Sequence, residues 1–477
     1  MKFSSSLLFP CSALAALAAP AAGFSSVRSV SKRSATITPT MVAERPFTST
    51  QIYQYATAPE GLVNVADIWS ERDVYSMEQW ATQYGMQKAN GVELYSEDGG
   101  SDYSLMTNSG IAAGETVLWV PSSIVINSAS VEEEFGVGCL QEVEAALIKV
   151  DEFSAMKGKD IDSYYRLPLF RLMVRILLEW EKGEDSIYFP WLNSLPRQFF
   201  NGSSMTKRCF ECLPPYAGWL ASTERTNYGH FNIALKQGYV PLQPETIMNR
   251  EAVKWAYNVA LTRFQEIWQP DRQKLIAPMA DMLNHAAEPN CEISFDYEGN
   301  CIVTALYDIP AGSPLTISLG DPTNPTPIFA QYGFLPQDCA TIFCKAMHLE
   351  KQINELGYEF SELLFQTETG EIAPKVWDVF LYDLLQKSDP GSAQQFCIAC
   401  QNDDEETKQY YNDQYYAYTL DALKQHVYGI LNDAERLTVR AQSYDLETHP
   451  RVPVIVAHNQ LVLQTFSMTA ALLEQMG

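Results

Sequence analysis

An asparagine and a histidine stand side by side at the end of an apolar run, and their side chains could act together on a ligand. Asn284 and His285 close residues 278–285, in which Asp281 is the one charged side chain. Residues 288–320 continue as a turn, a strand-like alternation and a second turn. A few fixed polar groups among apolar walls are typical of a small-molecule pocket. Alternatively, Asn284 and His285 only cap local backbone groups, and the residues alone leave both interpretations open.

The order of motifs in this part of the chain resembles the C-terminal half of a SET domain. Asp281 begins a D-x-x-N-H motif, an Ala-Gly-Ser turn follows at residues 311–313, Gly320 begins G-x-x-x-N, and residues 332–334 are Y-G-F. The branch that it most resembles contains plant Rubisco large-subunit lysine methyltransferase and the actin histidine methyltransferase. The resemblance implies a protein methyltransferase that uses S-adenosylmethionine as its cofactor.

The resemblance also implies roles for individual residues. In the family the Asn-His segment binds S-adenosylmethionine, so Asp281, Asn284 and His285 are expected at the cofactor. The Y-G-F segment passes beneath it in a knot-like crossing and helps to line the channel for the target side chain. Tyr332 is therefore expected to be catalytic, and Phe334 is expected to contact the cofactor.

One departure from the family concerns catalysis. Family members carry a tyrosine immediately before the glycine at position 320, whereas this chain has Leu319. Aligning two reactants supplies roughly 7–11 kcal/mol of barrier reduction, and losing one fixed polar contact costs about 10²–10³ in rate. Leu319 is compatible with a slow or rewired protein-lysine methyltransferase in which Tyr332 or Ser318 aligns the target. The alternatives are a SET-like protein that binds cofactor or a protein partner without catalysis, and a scaffold that binds neither cofactor nor lysine.

Two other regions carry expected cofactor contacts. Gly99 and Gly100 lie in an acidic glycine turn where the family has a G-x-G-like loop, although the usual G-x-G-L core is missing. Glycine suits such a loop because bare backbone can approach a ligand closely. Arg263 lies near the end of a helix predicted over residues 245–268. It is expected either beside the cofactor, as in the family, or in an ion pair with Asp281.

Alternating and helical patterns supply the elements around these residues. A helix is predicted over about residues 74–88, strands over residues 91–95 and 116–121, and helical structure from residue 131 to residue 182. Residues 188–196 are similar to the helical insertion that interrupts the SET domain in the Rubisco-methyltransferase branch. This match sets the chain apart from histone-type SET proteins. The aromatic side chains of that segment are expected to pack in the core without direct chemistry.

The expected fold class is α+β. A SET-type β fold is expected over residues 75–335, with a helical insertion at about residues 131–250, followed by an all-helical domain over residues 336–477. In the family such a C-terminal domain docks the protein substrate. Helices within it are predicted at residues 359–366, 373–386, 415–433 and 455–474, and residues 402–413 are expected to be a solvated loop or a helix start.

Charge and cysteine content restrict the partners. A net charge of −25 over 477 residues argues against a nucleic-acid binder, which needs basic surface for phosphate contacts, and favours a basic protein segment. The length predicts two domains plus a leader, and a monomer is expected. Two C-x-x-C pairs could together ligate a zinc ion, namely Cys209 with Cys212 and Cys397 with Cys400. The two pairs lack the compact spacing of zinc modules, so buried thiols and no metal are expected.

The N-terminus is expected to be a presequence. Residues 7–22 form a short Ala-rich apolar run, and the chain then stays rich in serine and basic residues with no acidic residue before Glu44. The first pattern is typical of a signal peptide and the second of a transit peptide. In tandem over residues 1–43 they resemble the bipartite plastid presequence of algae with secondary plastids. Plastid localisation is expected, with secretion as the alternative, a linker at residues 44–74 and no membrane span in the mature form.

Overall fold

The computed structural model describes residues 61–68, 70–96, 102–156, 163–268, 272–320, 324–336, 339–343 and 346–477. The predicted presequence, most of the predicted linker and the pair Gly99 and Gly100 lie outside these ranges. The strands are β1 (Gln87–Lys88), β2 (Val92–Tyr95), β3 (Ser104–Thr107), β4 (Thr116–Val120), β5 (Ile126–Asn127), β6 (Gln265–Ile267), β7 (Gln273–Ile276), β8 (Asn284–His285), β9 (Cys291–Phe295), β10 (Cys301–Ala305), β11 (Ser313–Pro314), β12 (Thr316–Ile317), β13 (Thr341–Phe343) and β14 (Leu364–Gln366).

The helices alternate with these strands and dominate the C-terminal region. They are α1 (Val74–Gln83), α2 (Ser130–Phe135), α3 (Gln141–Ala155), α4 (Ser163–Lys182), α5 (Phe189–Ser194), α6 (Lys207–Phe210), α7 (Pro215–Ala234), α8 (Pro244–Met248), α9 (Arg250–Arg263), α10 (Pro325–Tyr332), α11 (Glu350–Leu356), α12 (Pro374–Ser388), α13 (Pro390–Gln401), α14 (Glu405–Gln442) and α15 (Val452–Gln475).

Several small sheets carry the candidate residues. One sheet has the strand order β1-β4-β10-β9, a second β11-β3-β2 and a third β5-β7-β6, while β8 and β12 pair in parallel. In β10 the alternate residues Cys301, Val303 and Ala305 are buried, which is the two-residue period of a strand with one face on the core. The alternation expected after the Asn-His pair is therefore a hairpin of β9 and β10.

The helices from α2 to α9 lie between β5 and β6 in the chain, where the helical insertion is predicted. Within α4 the side chains of Phe170, Val174 and Leu177 are fully buried, at the three-to-four spacing of one helix face. This face packs in the same hydrophobic cluster as the sheet residues Leu118, Ile276 and Val303. The insertion and the sheets thus share one core.

The C-terminal helices build a second core. Leu381, Phe396 and Leu423 are among its buried residues. A third cluster contains Cys209 of the insertion together with Ile455 of α15. The predicted α+β class with a helical C-terminal region is confirmed. In the described part of the chain, no helix combines the length and apolar character that crossing a bilayer requires.

The helix predicted over residues 359–366 is wrong. Residues Phe360–Glu362 form a 3-10 turn, and Leu364–Gln366 form β14, which pairs with β13. Phe365 also bridges to Ile372, so the chain folds back on itself at this point and forms a small sheet. The apolar spacing of this segment fits both structures, and pairing with a distant strand decided between them. The C-terminal domain is consequently not all-helical.

Two helix boundaries also differ from the predictions. The helix predicted over residues 245–268 is two helices, α8 and α9, because the Oδ1 of Asn249 accepts from the Ala252 N–H at 3.1 Å and caps α9 from an extended backbone. The C-terminal residues of that prediction belong to β6, which pairs with β7. The helix predicted over residues 74–88 ends at Gln83, since residues 87–88 form β1 against β4.

Candidate functional site

Asn284 and His285 form β8 and are held by its pairing with β12. Thr316 is the ladder partner of Asn284, and Ile317 is that of His285. The N–H of Ala286 donates to the carbonyl of Ile317 at 3.1 Å. The Asn284 side chain is exposed and His285 is half-buried. Sheet pairing with a distant segment, and not a local turn alone, therefore positions the two side chains.

Leu319 lies directly beside His285. Its backbone N–H donates to His285 Nδ1 at 3.1 Å, so a neutral His285 carries its proton on Nε2. The Leu319 side chain is half-buried against the main hydrophobic core. Ser318, the other residue predicted to align a target, is exposed, and its hydroxyl donates to the Gly320 carbonyl at 2.9 Å. The Ser318 hydroxyl is thus already engaged in a hydrogen bond within its own turn.

The rings of Tyr332, Phe334 and His285 are connected by successive ring contacts. The ring centroids of Tyr332 and Phe334 are 6.2 Å apart, and those of Phe334 and His285 are 6.0 Å apart. Burial raises the pKa of the Tyr332 phenol, and the charge of Glu224 raises it further. The predicted residues at positions 285, 319, 332 and 334 therefore come together, although they belong to two separate motifs.

Gly333 makes the passage of the Y-G-F segment possible. It ends α10 in the left-handed conformation with a φ of 86°. A Cβ at this position would lie 2.5 Å from the backbone nitrogen of Asn201. Glycine is required because no side chain fits in that space and because L residues with a side chain rarely adopt this backbone conformation.

Asp281 ties two helices to the Asn284 segment. Its side chain is 1% exposed. Its Oδ2 accepts from Arg263 Nη1 and from Trp191 Nε1, each at 3.0 Å, and Arg263 Nη1 also donates to the Asp281 carbonyl at 2.9 Å. The ion pair between Arg263 and Asp281, one of the two roles predicted for Arg263, is confirmed. Trp191 is buried as expected, but its indole N–H also positions Asp281, which no sequence pattern indicated.

The backbone is strained just before Asp281. Met279 has a φ of 72°, a left-handed conformation that costs a residue with a side chain of order 1–3 kcal/mol. In the described ranges only one other non-glycine residue, Asp403, has a positive φ. The turn lets the Asp281 N–H reach the carbonyl of Ala277 at 3.0 Å. Strain of this kind concentrates at functional sites.

Comparison with known families agrees with this geometry. Residues 102–320 match the family model of the SET domain.

This part of the chain is a SET domain.

The fold is similar to that of solved structures of Rubisco LSMT. The crystal structure of the SET domain of LSMT bound to lysine and AdoHcy has a TM-score of 0.53 and 13% identity, over 84% of this chain and 91% of that chain. The structure of Rubisco LSMT bound to AdoMet also has a TM-score of 0.53 and 13% identity, over 85% of this chain and 92% of that chain. At such identities the likeness shows the fold. No curated protein sequence matches this chain.

Arg72 lies near Arg263, although no sequence pattern pointed to it. It falls in the predicted linker, where spacing carries no signal. Its Nε donates to the Ser194 carbonyl at 2.7 Å, and its guanidinium lies 5.1 Å from the ring centroid of Tyr103. Burial, and then the charge of Arg263, lower the pKa of Arg72 to about 10. The charge of Asp102 acts on Arg72 in the opposite direction, and Arg263 is paired with Asp281.

The predicted glycine loop lies outside the described residues, and only its flanking strands can be placed. β2 and β3 pair with Tyr95 opposite Ser104, and β3 pairs in turn with β11. Gly99 and Gly100 belong to the connection between β2 and β3. Their contact with a cofactor stays a prediction.

The cysteines of the zinc alternative lie in different hydrophobic clusters. Cys209 and Cys212 pack between the insertion and the C-terminal helices, whereas Cys397 and Cys400 pack in the C-terminal core. Burial raises the pKa of Cys212, and it raises that of Cys400 to about 12, so these thiols stay protonated near neutral pH. Within the ranges that the structure describes, no three His, Cys, Asp or Glu side chains are grouped to hold a metal ion.

Glu224 on α7 is a titrating group near Tyr332 that no sequence motif indicated. Tyr257 Oη donates to Glu224 Oε2 at 3.1 Å. Burial raises the pKa of the Glu224 carboxyl to about 7, although the hydrogen bond from Tyr257 and the charge of Arg166 oppose this shift. Near neutral pH the charge on Glu224, and with it the field at Tyr332, therefore changes with pH.

Replacing Glu224 by glutamine is expected to stabilise the protein at alkaline pH and to change its stability little near pH 5. The folded carboxyl has a pKa of about 7, compared with an ordinary value of 4.5. The folded state therefore holds a proton that the unfolded state has released between these values, and wild-type stability falls as the pH rises through this window. Glu224→Gln removes that loss, and its amide oxygen still accepts from Tyr257. Thermal unfolding at several pH values measures the effect; a difference in Tm that does not grow with pH would contradict it.

Proposed function

We propose that this protein transfers a methyl group from S-adenosylmethionine to a lysine side chain of a non-histone protein. The observation that carries the proposal is the meeting of His285, Leu319, Tyr332 and Phe334 within a SET fold. Two separate motifs supply these residues, and ring contacts and one hydrogen bond connect them. The solved structures with this fold contain AdoMet, AdoHcy or lysine by their descriptions, which supports the same class of ligands here.

The residues present fit S-adenosylmethionine. The exposed amide of Asn284 and the half-buried imidazole of His285 stand beside the buried side chains of Met282 and Leu283, so polar groups are offered from an apolar wall. Arg72 would bring a guanidinium group to the carboxylate of the cofactor, while Arg263 stays paired with Asp281. When bound, the cofactor supplies an electrophilic methyl group on a sulfonium centre.

Tyr332 is the candidate for orienting the target nitrogen. Because its pKa is raised, its hydroxyl keeps its proton near neutral pH and can accept a hydrogen bond from an amine N–H without introducing a charge. Leu319 offers an apolar wall beside His285, which excludes water but cannot hold a nitrogen in place. Since alignment of the reactants supplies a large share of the rate of such a displacement, we assign this task to Tyr332.

A second function, binding without catalysis, is favoured by one specific observation. Leu319 has no hydroxyl at the position where the family carries tyrosine, and the Ser318 hydroxyl donates to the Gly320 carbonyl. A protein of this kind would bind S-adenosylmethionine or a protein partner and would transfer no methyl group. A scaffold that binds neither cofactor nor lysine is the remaining alternative.

Two measurements on the mature chain test these functions. Isothermal titration measures the binding of S-adenosylmethionine, and labelled cofactor measures methyl incorporation into the proteins of a cell extract. We expect both binding and incorporation, and we expect Tyr332→Phe to lower incorporation by about 10²-fold at unchanged cofactor affinity. Binding without incorporation would support the second function, and the absence of binding would overturn both.

We also propose that the C-terminal helices dock a basic segment of the protein substrate. The chain is strongly acidic, and α14 begins with the exposed carboxylates of Asp404, Glu405 and Glu406. Further along α14, Tyr410 and Tyr418 are exposed, and exposed tyrosines are common in protein interfaces. If charge guides docking, the KM for a protein substrate should rise with added salt while cofactor affinity stays constant. A KM that is independent of salt would contradict this arrangement.

We propose that the substrate is a plastid protein and that residues 1–43 direct the chain to that organelle. The support is the tandem of an apolar run and an acid-free, serine-rich run up to Glu44. A fluorescent reporter fused to residues 1–43 should enter plastids of an alga with secondary plastids. Phe24 stands where the apolar run and the serine-rich run meet, and Phe24→Ala should stop the reporter at an earlier compartment on the import route. Secretion of the reporter, with Phe24 irrelevant, would favour the alternative.

A further inference from the structure

A cavity of about 400 Å³ lies between the insertion and the C-terminal helices. It is bounded by the start of α7, the start of α10, β13, α14 and α15. Its apolar walls are built from buried side chains, among them Tyr216, Ile342, Ala434, Val462 and Phe466. Cavities of this size and character are typical of small-molecule sites, which hold roughly 300–1,000 Å³.

Three histidines supply the cavity with polar groups. His348, His426 and His458 all line it. The ring centroids of His348 and His426 are 6.1 Å apart, and His458 Nε2 lies 3.2 Å from the Thr326 hydroxyl. Burial lowers the pKa of both His426 and His458 to about 4. Both rings are therefore neutral at pH 7, and on His458 the nitrogen that remains without a partner in the described structure is Nδ1.

The cavity is separate from the residues assigned to methyl transfer. The nearest common element is α10, which begins beside the cavity at Thr326 and ends at Tyr332. At 1.5 Å per helical residue these two positions lie roughly 9 Å apart along the helix axis. None of the steps assigned to Tyr332, Leu319 or His285 uses a histidine of the cavity.

The lining restricts the charge of an occupant. An anion would meet Asp433 at the wall and the net negative charge of the chain. A charged group of either sign would also lose its hydration against the buried apolar walls, and the carboxylate of Asp433 in the lining is exposed and already paired with Arg436. A neutral molecule with an apolar body and one hydroxyl or amide avoids both costs, because its polar group can bond to a histidine.

We propose that this cavity is a binding site for a neutral, largely apolar small molecule that carries one hydrogen-bonding group directed at His426 or His458. The site is independent of the cofactor and of the target lysine, and it goes beyond the proposed methyl transfer. Its occupant is expected to resemble an aromatic alcohol in size and polarity.

Gly429 on α14 offers a direct way to fill the cavity. It lines the cavity and is exposed at its margin. Among the described residues, no atom lies within 4 Å of a Cβ built on Gly429. Leucine also has a higher helix propensity than glycine, so Gly429→Leu should fold. Gly229 on α7 is a matched control, since it too lies inside a helix, does not line the cavity and has open space around its Cβ in the described structure.

The probe is 2-naphthol, which is neutral at pH 7 and fluorescent, titrated into the full chain. We expect saturable binding that Gly429→Leu weakens by about tenfold or more and that Gly229→Leu leaves unchanged. His426→Phe keeps an aromatic ring at this position and removes the hydrogen-bonding groups, and it should weaken binding by about tenfold if the naphthol bonds to His426. His458→Phe is the parallel test of the second histidine.

Each outcome decides the proposal. Loss of affinity in Gly429→Leu together with loss in one histidine variant supports it. The absence of saturable binding, or equal affinity in wild type and Gly429→Leu, overturns it. Naphthalene-2-sulfonate has the same rings and a negative charge, and equal or tighter binding of this anion would overturn the ligand class. Thermal unfolding of each variant in the absence of probe separates lost binding from lost folding.

Discussion

Replacing Asn284 and His285 together by alanine is expected to weaken the binding of S-adenosylmethionine by about 100-fold, since two polar contacts of about 1–1.5 kcal/mol each would be lost. The Asn284 side chain is exposed and free of the core, so its removal leaves no cavity. The ladder with Thr316 and Ile317 is made by backbone groups and should survive. Isothermal titration at constant salt measures the change in affinity.

The loss of the His285 ring has a second consequence. The N–H of Leu319 would lose the acceptor Nδ1, which lies 3.1 Å away in wild type. The segment after β12 would then be held less firmly, and the wall that Leu319 offers would shift. The single variants separate the two effects: Asn284→Ala should reduce affinity alone, whereas His285→Ala should reduce both affinity and thermal stability.

Asn402→Ala is the matched control for a side chain that only caps backbone. Asn402 Nδ2 donates to the Ile398 carbonyl at 2.9 Å at the exposed end of α13, in the C-terminal region. Its replacement should cost about 1 kcal/mol of stability at most and leave cofactor affinity unchanged. If the double variant of Asn284 and His285 behaves in the same way, the two side chains are local caps and the assignment of the site is wrong.

The residues of the site that the sequence revealed are those whose roles depend on short spacing. Asp281 lies three residues before Asn284, so the D-x-x-N-H motif can be recognised in a short stretch of sequence. Gly333 is the middle residue of the Y-G-F motif and was therefore also found from the sequence. The structure adds the reason for glycine, since a side chain there would collide with the backbone at Asn201. Tyr332 and Phe334 flank that glycine and are located with it. The SET fold and this half of the site could be predicted for these reasons.

The residues that the sequence did not reveal act across long distances in the chain. The hydrogen bond from Trp191 to Asp281 joins positions 90 residues apart, and that from Arg72 to Ser194 joins positions 122 residues apart. Contacts of this kind leave no periodic signal. Glu224 was missed for a related reason, since its raised pKa arises from burial in the folded chain, against the opposing hydrogen bond from Tyr257, and not from its neighbours in sequence.

Short strands were the least predictable elements. Leu364 and Phe365 carry apolar side chains that suit a helix as well as a strand, and β13 supplies the backbone partner that makes residues 364–366 a strand. The end of the helix predicted over residues 245–268 was lost to β6 through pairing with β7. In both cases a distant segment outweighed local propensity.

Leu319→Tyr is expected to raise methyl transfer by about 10²–10³ if the pocket is otherwise catalytic, because it restores one fixed hydroxyl. The backbone at this position is already tied to His285, so the new ring would start from a fixed position beside that imidazole. Leu319 is half-buried against the cluster that contains Met282, and Phe334 lies beside His285, so either side chain could obstruct a larger ring. Overpacking would cost roughly 1–3 kcal/mol of stability, which thermal unfolding would reveal.

Leu319→Phe is the matched control, since it adds the ring without the hydroxyl. Cofactor affinity, Tm and methyl incorporation are measured for wild type and both variants against the same extract. If Leu319→Tyr gains activity and Leu319→Phe does not, the hydroxyl is what the wild type lacks. An active wild type that Leu319→Tyr leaves unchanged or slows would mean that Tyr332 already aligns the target, and the role assigned to a tyrosine at position 319 would not apply. If all three bind the cofactor and none transfers methyl, the defect lies elsewhere, and the departure of residues 99–105 from the family's glycine loop is the next position to test.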